Sequence, residues 1–452
     1  MFKIKFQSLL SILISKFIIT LSKFLFHGGT NFPGKVALKL DKNILKTIAS
    51  NYDVILITGT NGKTTTTSML YSIIKESNKP VITNNTGANM YTGIIACFIS
   101  NYSFKKATEK KIAVIEVDEA NVKFLTEYIS PKIITITNLF RDQLDRYGEV
   151  YTTLKKILEG IEKSPTSTLV LNGDESLLGE LNLKNPTLYY GFATKINENK
   201  IVDINADAKF CKVCKAPYEY NFITYNHLGD FYCSKCGYKR PELTYSIDKI
   251  IDLNTAGSTV HINNKPYYIN QPGTYNIYNA LCAYSVAKSL GFEDNTIEQC
   301  LKTVASSFGR QETLNIEGKE IKIILVKNPA GYDEAVNTIN LDPRKLNLCL
   351  LLNDNYADGK DVSWIWDVNF ERLTSLDINK IMISGIRLYD MAIRLKVAGF
   401  NSDSFLLCND EEALLKEIKA CDGEIVYILA TYTAMINLRK FLHTKGYIDK
   451  IW

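Results

Sequence analysis

The chain passes from an unbroken apolar run, Val54-Ile55-Leu56-Ile57, through Thr58-Gly59-Thr60-Asn61-Gly62-Lys63-Thr64-Thr65-Thr66, into Ser68-Met69-Leu70-Tyr71-Ser72-Ile73-Ile74. A short continuous apolar run predicts a strand buried on both faces, and the spaced apolar positions after it predict a helix. The same rhythm repeats along the chain. Val81-Ile82-Thr83 runs into the polar Asn84-Asn85-Thr86-Gly87, residues 112–117 into Asp118-Glu119, and residues 133–137 into Asn138. Residues 168–171 lead to the turn Asn172-Gly173-Asp174, with Leu188-Tyr189-Tyr190-Gly191 beyond it. Strands alternating with helices predict an α/β fold with a doubly wound, mainly parallel sheet. A second set begins near residue 321, with strands over 321–326 and 348–352 and a helix over 410–420, and predicts a smaller C-terminal α/β domain. The boundaries that follow are 1–49 for a lead-in, 50–312 for the first α/β domain and 313–452 for the second.

The lead-in has its own pattern. Residues 2–26 are rich in Leu, Ile and Phe, but Lys3, Lys5, Lys16 and Lys23 interrupt them, and no uncharged span reaches the roughly 18 to 20 residues a membrane-crossing helix needs. Ile12, Leu13, Phe17, Ile18 and Leu21 are expected to share the face of an amphipathic helix that packs on the protein or lies on a membrane surface. About fifty residues precede the first strand, too few for a nucleotide-binding domain, so the acceptor substrate is expected to be held in another way.

Composition changes this picture little. With 452 residues, 46% apolar and 22% charged, the chain can bury two or three cores. A net charge of +5 is too mild to argue for nucleic acid. Ten cysteines without a cleavable leader point to a reducing, cytoplasmic setting, where clustered cysteines bind metal more often than they pair.

Two clusters carry chemistry. In the first, Gly59 and Gly62 let backbone approach an anion, loop N–H groups and a helix start point at it, and Lys63 adds a point charge. Thr64 then faces Mg²⁺ beside ATP, and carboxylates at the end of the 112–117 strand stand opposite, with Glu116, Asp118 and Glu119 as candidates. In the second, Cys211-x₂-Cys214, eighteen residues and Cys233-x₂-Cys236 match a four-thiolate Zn²⁺ site on a small ribbon, about 206–241, inserted in the first domain. The closed ligand set makes that zinc structural, with His227 as a surface alternate. The other six cysteines, in apolar runs, belong to cores.

The loop Thr58-Gly59-Thr60-Asn61-Gly62-Lys63-Thr64-Thr65 resembles that of the Mur ligase and folylpolyglutamate synthase superfamily, whose members phosphorylate a carboxylate with ATP and let an amine attack the acyl phosphate. Asn138, followed by Asp142-Gln143-Leu144-Asp145, resembles a superfamily motif with Gln143 where His is usual. By that resemblance Glu116 is the Mg²⁺ residue, and Asn138, Asn276, Asn279 and Arg310 approach the nucleotide. Asn276 could equally cap its helix.

Adding the Cys₄ ribbon and the stretch Asn353-Asp354 to Ala357-Asp358-Gly359 to Asp361-Val362-Ser363-Trp364-Ile365-Trp366, the chain resembles the MurT family, the ligase-type subunits of lipid II isoglutaminyl synthases. That resemblance implies amidation of the α-carboxylate of D-glutamate in the lipid II stem peptide at the inner face of the membrane. It also implies a GatD-type glutaminase partner, because the four histidines show no pairing with a nucleophilic Cys. Asp361 would then serve the partner's active site, with Asp354 and Asp358 as alternates and helix capping as the plain role. A folylpolyglutamate synthase-like amide ligase and a zinc-ribbon ATPase on nucleic acid are the rival readings. The first lacks an expected Cys₄ ribbon, and the second lacks a basic ribbon.

Overall fold

A computed structural model describes residues 5–26, 31–84, 88–104, 109–141, 150–196, 198, 200–201, 207–304 and 310–449. The strands are β1 (Tyr52–Thr58), β2 (Val81–Thr83), β3 (Lys111–Glu116), β4 (Ile133–Ile136), β5 (Thr168–Asn172), β6 (Thr187–Phe192), β7 (Glu219–Tyr225), β8 (Leu228–Tyr232), β9 (Tyr245–Leu253), β10 (Ser258–Ile262) and β11 (Lys265–Ile269). After them come β12 (Arg310–Ile316), β13 (Lys319–Leu325), β14 (Leu346–Leu351), β15 (Ile378–Ser384), β16 (Phe405–Cys408) and β17 (Ile425–Ala430). Among the described residues they form a nine-stranded sheet in the order 11-10-9-6-5-4-1-3-2, a six-stranded sheet in the order 12-13-17-14-15-16, and the β7–β8 ribbon.

The large sheet is parallel from β2 to β9 and antiparallel only in the β9-β10-β11 edge meander. Alternate residues of β1 feed two cores, as a period of two requires. Ile55 and Ile57 pack with Met69, Leu70, Ile73 and Ile74 of helix Lys63–Glu76 and with helix Thr274–Ser289. Val54 and Leu56 join Ile94, Ile95 and Phe98 on the other face, where Ile12, Ile44, Leu45 and Ile48 of the lead-in also bury. This two-sided burial explains why β1 carries an unbroken apolar run and why β4 is apolar apart from the buried Thr135. The smaller sheet divides likewise: Tyr427 and Leu429 face one core, Val426 and Ile428 the other.

Two details depart from expectation. Ile12 is fully buried while Leu13, Phe17 and Leu21 are exposed, so the residues expected on one face of helix Phe6–Phe26 lie on opposite faces. The connection from β6 to β9, two neighbouring parallel strands, is the path along which the cysteine ribbon is inserted, in the place where a crossover helix is usual.

Candidate functional site

β1 ends where the strand order reverses between β4 and β3, the crevice in which open α/β sheets take ligands. Gly59 and Gly62 there adopt φ of +121° and +85°. A Cβ would stand 2.3 Å from Thr137 Oγ1 at the first and 2.0 Å from Asn279 Oδ1 at the second, so both positions require glycine.

The loop after β4 clamps this turn. Thr60 N–H donates to Asn138 O (2.9 Å) and Asn61 N–H to Asn138 Oδ1 (2.9 Å), while Thr137 Oγ1 (2.6 Å) and Asn138 Nδ2 (3.2 Å) donate to Asn61 O. Asn138 thus spends its side chain on holding the loop. Thr58 and Thr65 are buried and Thr64 is partly exposed.

Lys63 folds back over the turn, donating to Thr60 O (3.3 Å), to Gly59 O and to Glu119 Oε1 (2.8 Å). Burial alone would lower its pKa, but Glu119, Glu116 and Asp118 together hold it above the usual lysine range. Burial pushes the Glu119 carboxyl up, against the pull of Lys63 and, more weakly, of Lys327 from the second domain. The three carboxylates after β3 therefore have separate places. Glu119 pairs with Lys63. Asp118 Oδ1 accepts from Ala120 N–H (3.1 Å) and Asn121 Nδ2 (3.0 Å), capping the turn it begins. Glu116 Oε1 accepts from Asn89 Nδ2 (3.0 Å). A buried carboxylate lightly bonded by the protein, on the strand paired with β1 just before the phosphate loop, suits Mg²⁺.

Asn276 and Asn279 are buried on helix Thr274–Ser289, Asn276 Nδ2 donating to Pro272 O (2.8 Å) and Asn279 Nδ2 to Asn276 Oδ1 (3.1 Å). Asn279 places its oxygen against Gly62, so the structure brings this helix to the phosphate loop. The Arg310 side chain, Phe308-Gly309 and the whole Asp142-Gln143-Leu144-Asp145 stretch lie outside the described residues.

Sequence reasoning missed Asn328. Its amide exchanges contacts with that of Asn61 (3.1 and 3.4 Å), and its Oδ1 accepts from Gly331 N–H (2.8 Å), capping helix Pro329–Ile339. Asn-Pro followed by an apolar helix is a capping signal, but its partner is 267 residues away. Beside this junction Tyr225, Gly273, Ala330, Glu334, Thr338 and Arg372 line a cavity of about 220 Å³. Glu334 Oε1 accepts from Asn337 Nδ2 (2.6 Å), Oε2 has no partner, and burial pushes the carboxyl up to about 8.

The acidic tryptophan stretch separates its candidates. Asp354 pairs with Arg387 (3.1 Å), and Asp358 is buried, accepting from Thr433 N–H (2.7 Å) and Asn355 N–H (3.2 Å). Asp361 is exposed; the Ser363 hydroxyl and, next, the Ser363 N–H donated to its Oδ1 (2.8 Å) at the start of the 3₁₀ turn Ser363–Asp367 keep its carboxyl below the usual range. Asp367 reaches back to Arg141 of the first domain (3.4 Å).

The four ribbon cysteines converge, with ligand atoms within 4.8 Å of one another and closest Sγ separations of 3.5 and 3.6 Å. Tetrahedral zinc with about 2.3 Å bonds asks for sulfurs about 3.8 Å apart, so the set fits. Each Cys-x₂-Cys turns the same way: Lys215 (φ +64°) donates N–H to Cys211 O and Gly237 (φ +76°) to Cys233 O, both at 2.9 Å. Tyr218, Tyr220, Phe231 and Tyr238 make the ribbon's own small core. His227 is not on the surface, as expected for a loop histidine, but fully buried, with Nε2 2.9 Å from Glu175 Oε2. Because Glu175 also accepts from Leu139 N–H (3.1 Å), this pair ties the ribbon hairpin to the segment that clamps the phosphate loop.

Residues 57–236 match the Mur ligase middle domain and residues 325–435 the MurT ligase C-terminal domain. The chain is 43% identical to the lipid II isoglutaminyl synthase (glutamine-hydrolyzing) subunit MurT of Streptococcus pneumoniae, over 93% of this chain and 94% of that one. It is 36% identical to the subunit of the same name from Staphylococcus aureus strain COL, over 82% and 83%. Among solved structures, a pseudomurein peptide ligase type C from Methanothermus fervidus shares the fold with a TM-score of 0.69 at 20% identity, covering 90% of this chain and 81% of that one. The folylpolyglutamate synthase of Thermotoga maritima does so with a TM-score of 0.58 at 15% identity, over 97% and 99%. With the phosphate loop, both domain matches and full-length relatives in agreement, the chain belongs to the MurT family of Mur ligase-type proteins and is an ATP-dependent ligase subunit.

Proposed function

We propose that this chain is the synthetase subunit of a lipid II isoglutaminyl synthase. It transfers phosphate from ATP to the α-carboxylate of D-glutamate in the lipid II stem peptide; ammonia then displaces the phosphate and leaves D-isoglutamine. The observation that carries this reading is the phosphate loop of β1 standing beside a carboxylate cluster, in a chain whose full-length relatives bear that name.

In this reading the loop N–H groups of residues 59–65 cradle the phosphates and Lys63 exchanges its Glu119 contact for phosphate oxygens, offsetting the charge of the transferring group. Thr64 and Glu116 would hold Mg²⁺, which neutralises phosphate charge when bound. Asn276, Asn279 and Arg310 border the nucleotide, and the four cysteines hold a structural zinc. A GatD-type glutaminase supplies ammonia from glutamine, with Asp361 orienting its catalytic imidazole, and the pair works on lipid II at the inner membrane face.

The test is incubation of the purified chain with ATP, lipid II and isotopically labelled ammonium. Label should enter the stem peptide with stoichiometric ADP release. ATP hydrolysis with label absent from the peptide, or ATP-dependent addition of glutamate to a folylpolyglutamate in a parallel incubation, would reject the reading.

A further inference from the structure

Helix Phe6–Phe26 is amphipathic in the sense opposite to that of a helix packed on a soluble core. Its inward side is small and polar. Ser8 donates to Asp41 Oδ2 (2.6 Å), Ser11 donates to Ala37 O (3.1 Å), Ser15 is buried with no partner for its hydroxyl, and Ile12 is the one fully buried apolar side chain of the helix among the described residues. Its outward side is apolar: Phe6 (79% exposed), Leu10 (41%), Leu13 (50%), Phe17 (68%) and Leu21 (44%). At 3.6 residues per turn these five fall within about 80° of arc, and the serines lie on the opposite side. Chains exposing a continuous apolar stripe do so where something covers it.

Charge says what covers it. The first 40 residues hold six lysines, at 3, 5, 16, 23, 35 and 39, and no acid, whereas the whole chain is only +5, so the rest of the molecule is close to neutral. Lys5, Lys35 and Lys39 are exposed and pair with no carboxylate among the described residues. Lys16 is tied to Tyr102 O (2.6 Å) with its ammonium 5.9 Å from the half-exposed ring of Phe104, fastening the helix at its middle. An apolar stripe beside unpaired lysines on a helix too short of apolar length to span is the composition of an interfacial anchor. A second copy or a protein partner would cover the stripe, but neither accounts for a segment that carries the whole net charge of the molecule.

We infer that helix Phe6–Phe26 docks the protein on an anionic lipid bilayer, with Phe6, Leu10, Leu13, Phe17 and Leu21 in the acyl boundary and the lysines against lipid headgroups. The inference goes beyond the amidation reading. Binding is measured with neither ATP nor lipid II present, so each idea can fail alone.

The experiment is flotation of the full chain with vesicles of phosphatidylglycerol and phosphatidylcholine, or of phosphatidylcholine alone. The chain should float with the anionic vesicles, less with the neutral ones, and less as salt screens the lysines. The double variant Leu13→Asp/Phe17→Asp should lose flotation roughly tenfold or more. Both side chains are exposed, so its melting temperature should match the parent's; if it does not, Phe17→Ser alone serves, with a smaller loss expected. Flotation unaffected by these substitutions overturns the inference. So does failure to float, whether the stripe then mediates a dimer seen in sedimentation or retention of the glutaminase partner.

Discussion

Lys63 and Glu334 are both buried next to groups that move their titration, and the two make different predictions. Lys63 is held charged by Glu119, Glu116 and Asp118, although its burial opposes that charge. Lys63→Ala should lower ATP-dependent amidation by about 10² to 10³, the scale of removing one donor to a developing charge. The fold should persist, because Glu119, already pushed upward by burial, takes a proton once its partner is gone. Activity at the parental rate, read by ADP release, would remove Lys63 from the chemistry. For Glu334 burial outweighs the bond from Asn337 and the weaker pull of Arg372. Burial lifts its carboxyl from an ordinary 4.5 to about 8, so the stability that the protonated form contributes is complete below about 4.5 and is lost as pH rises through about 8. Within that window stability should fall by up to about 1.4 kcal/mol per pH unit. Glu334→Gln keeps the neutral shape, so its melting temperature should lose this slope; an unchanged slope would assign the pH dependence elsewhere.

At the scale of elements, the zinc proposed for the ribbon would tie metal to fold. Its core is one small aromatic cluster, so Cys211→Ser or Cys233→Ser should release zinc and destabilise the chain by several kcal/mol, on the order expected for structural zinc in a small domain. One zinc per chain in both variants, by metal analysis, would refute the site. The ribbon was legible because Cys-x₂-Cys pairs encode ligation locally, as the run Val54 to Ile57 and Gly59, Gly62 and Lys63 encode strand and loop. What sequence did not disclose are contacts set by packing. Lys63 meets Glu119 across 56 positions and His227 meets Glu175 across 52, and no local pattern carries such a pairing. The β9–β11 meander went unread because β9 alternates only weakly, much of it exposed. The lead-in helix was legible as amphipathic, but its inward face is chosen by serine contacts to Ala37 and Asp41, which hydropathy alone scores against burial.

For the whole molecule, the contacts that join the halves among the described residues include the Asn61–Asn328 amides at the phosphate loop, Lys322 Nζ on Thr255 O (3.3 Å) and Asp367–Arg141 at the tryptophan stretch. In the tryptophan stretch Asp361 stays exposed, while Asp354 and Asp358 are committed to Arg387 and Thr433. Asp361→Asn should therefore abolish glutamine-driven amidation, by about 10⁴ if it orients a catalytic imidazole, and spare ATP binding and amidation from ammonium salt. Equal loss with both nitrogen sources would place it in the ligase site or in the fold instead. The ribbon's position between β6 and β9 also orders events during synthesis of the chain. These neighbours are parallel, so their pairing must wait for the intervening segment to return, and every further residue left loose in that loop adds to the closure entropy. Two cysteine knuckles drawn together shorten the loose part, so the edge meander can join a sheet already built around the nucleotide crevice. With zinc held there as proposed, metal supply would act as a timer on maturation: a cell starved of zinc would accumulate chains with a finished β1–β6 half and an unpaired β6 edge, the exposed strand that invites aggregation and proteolysis.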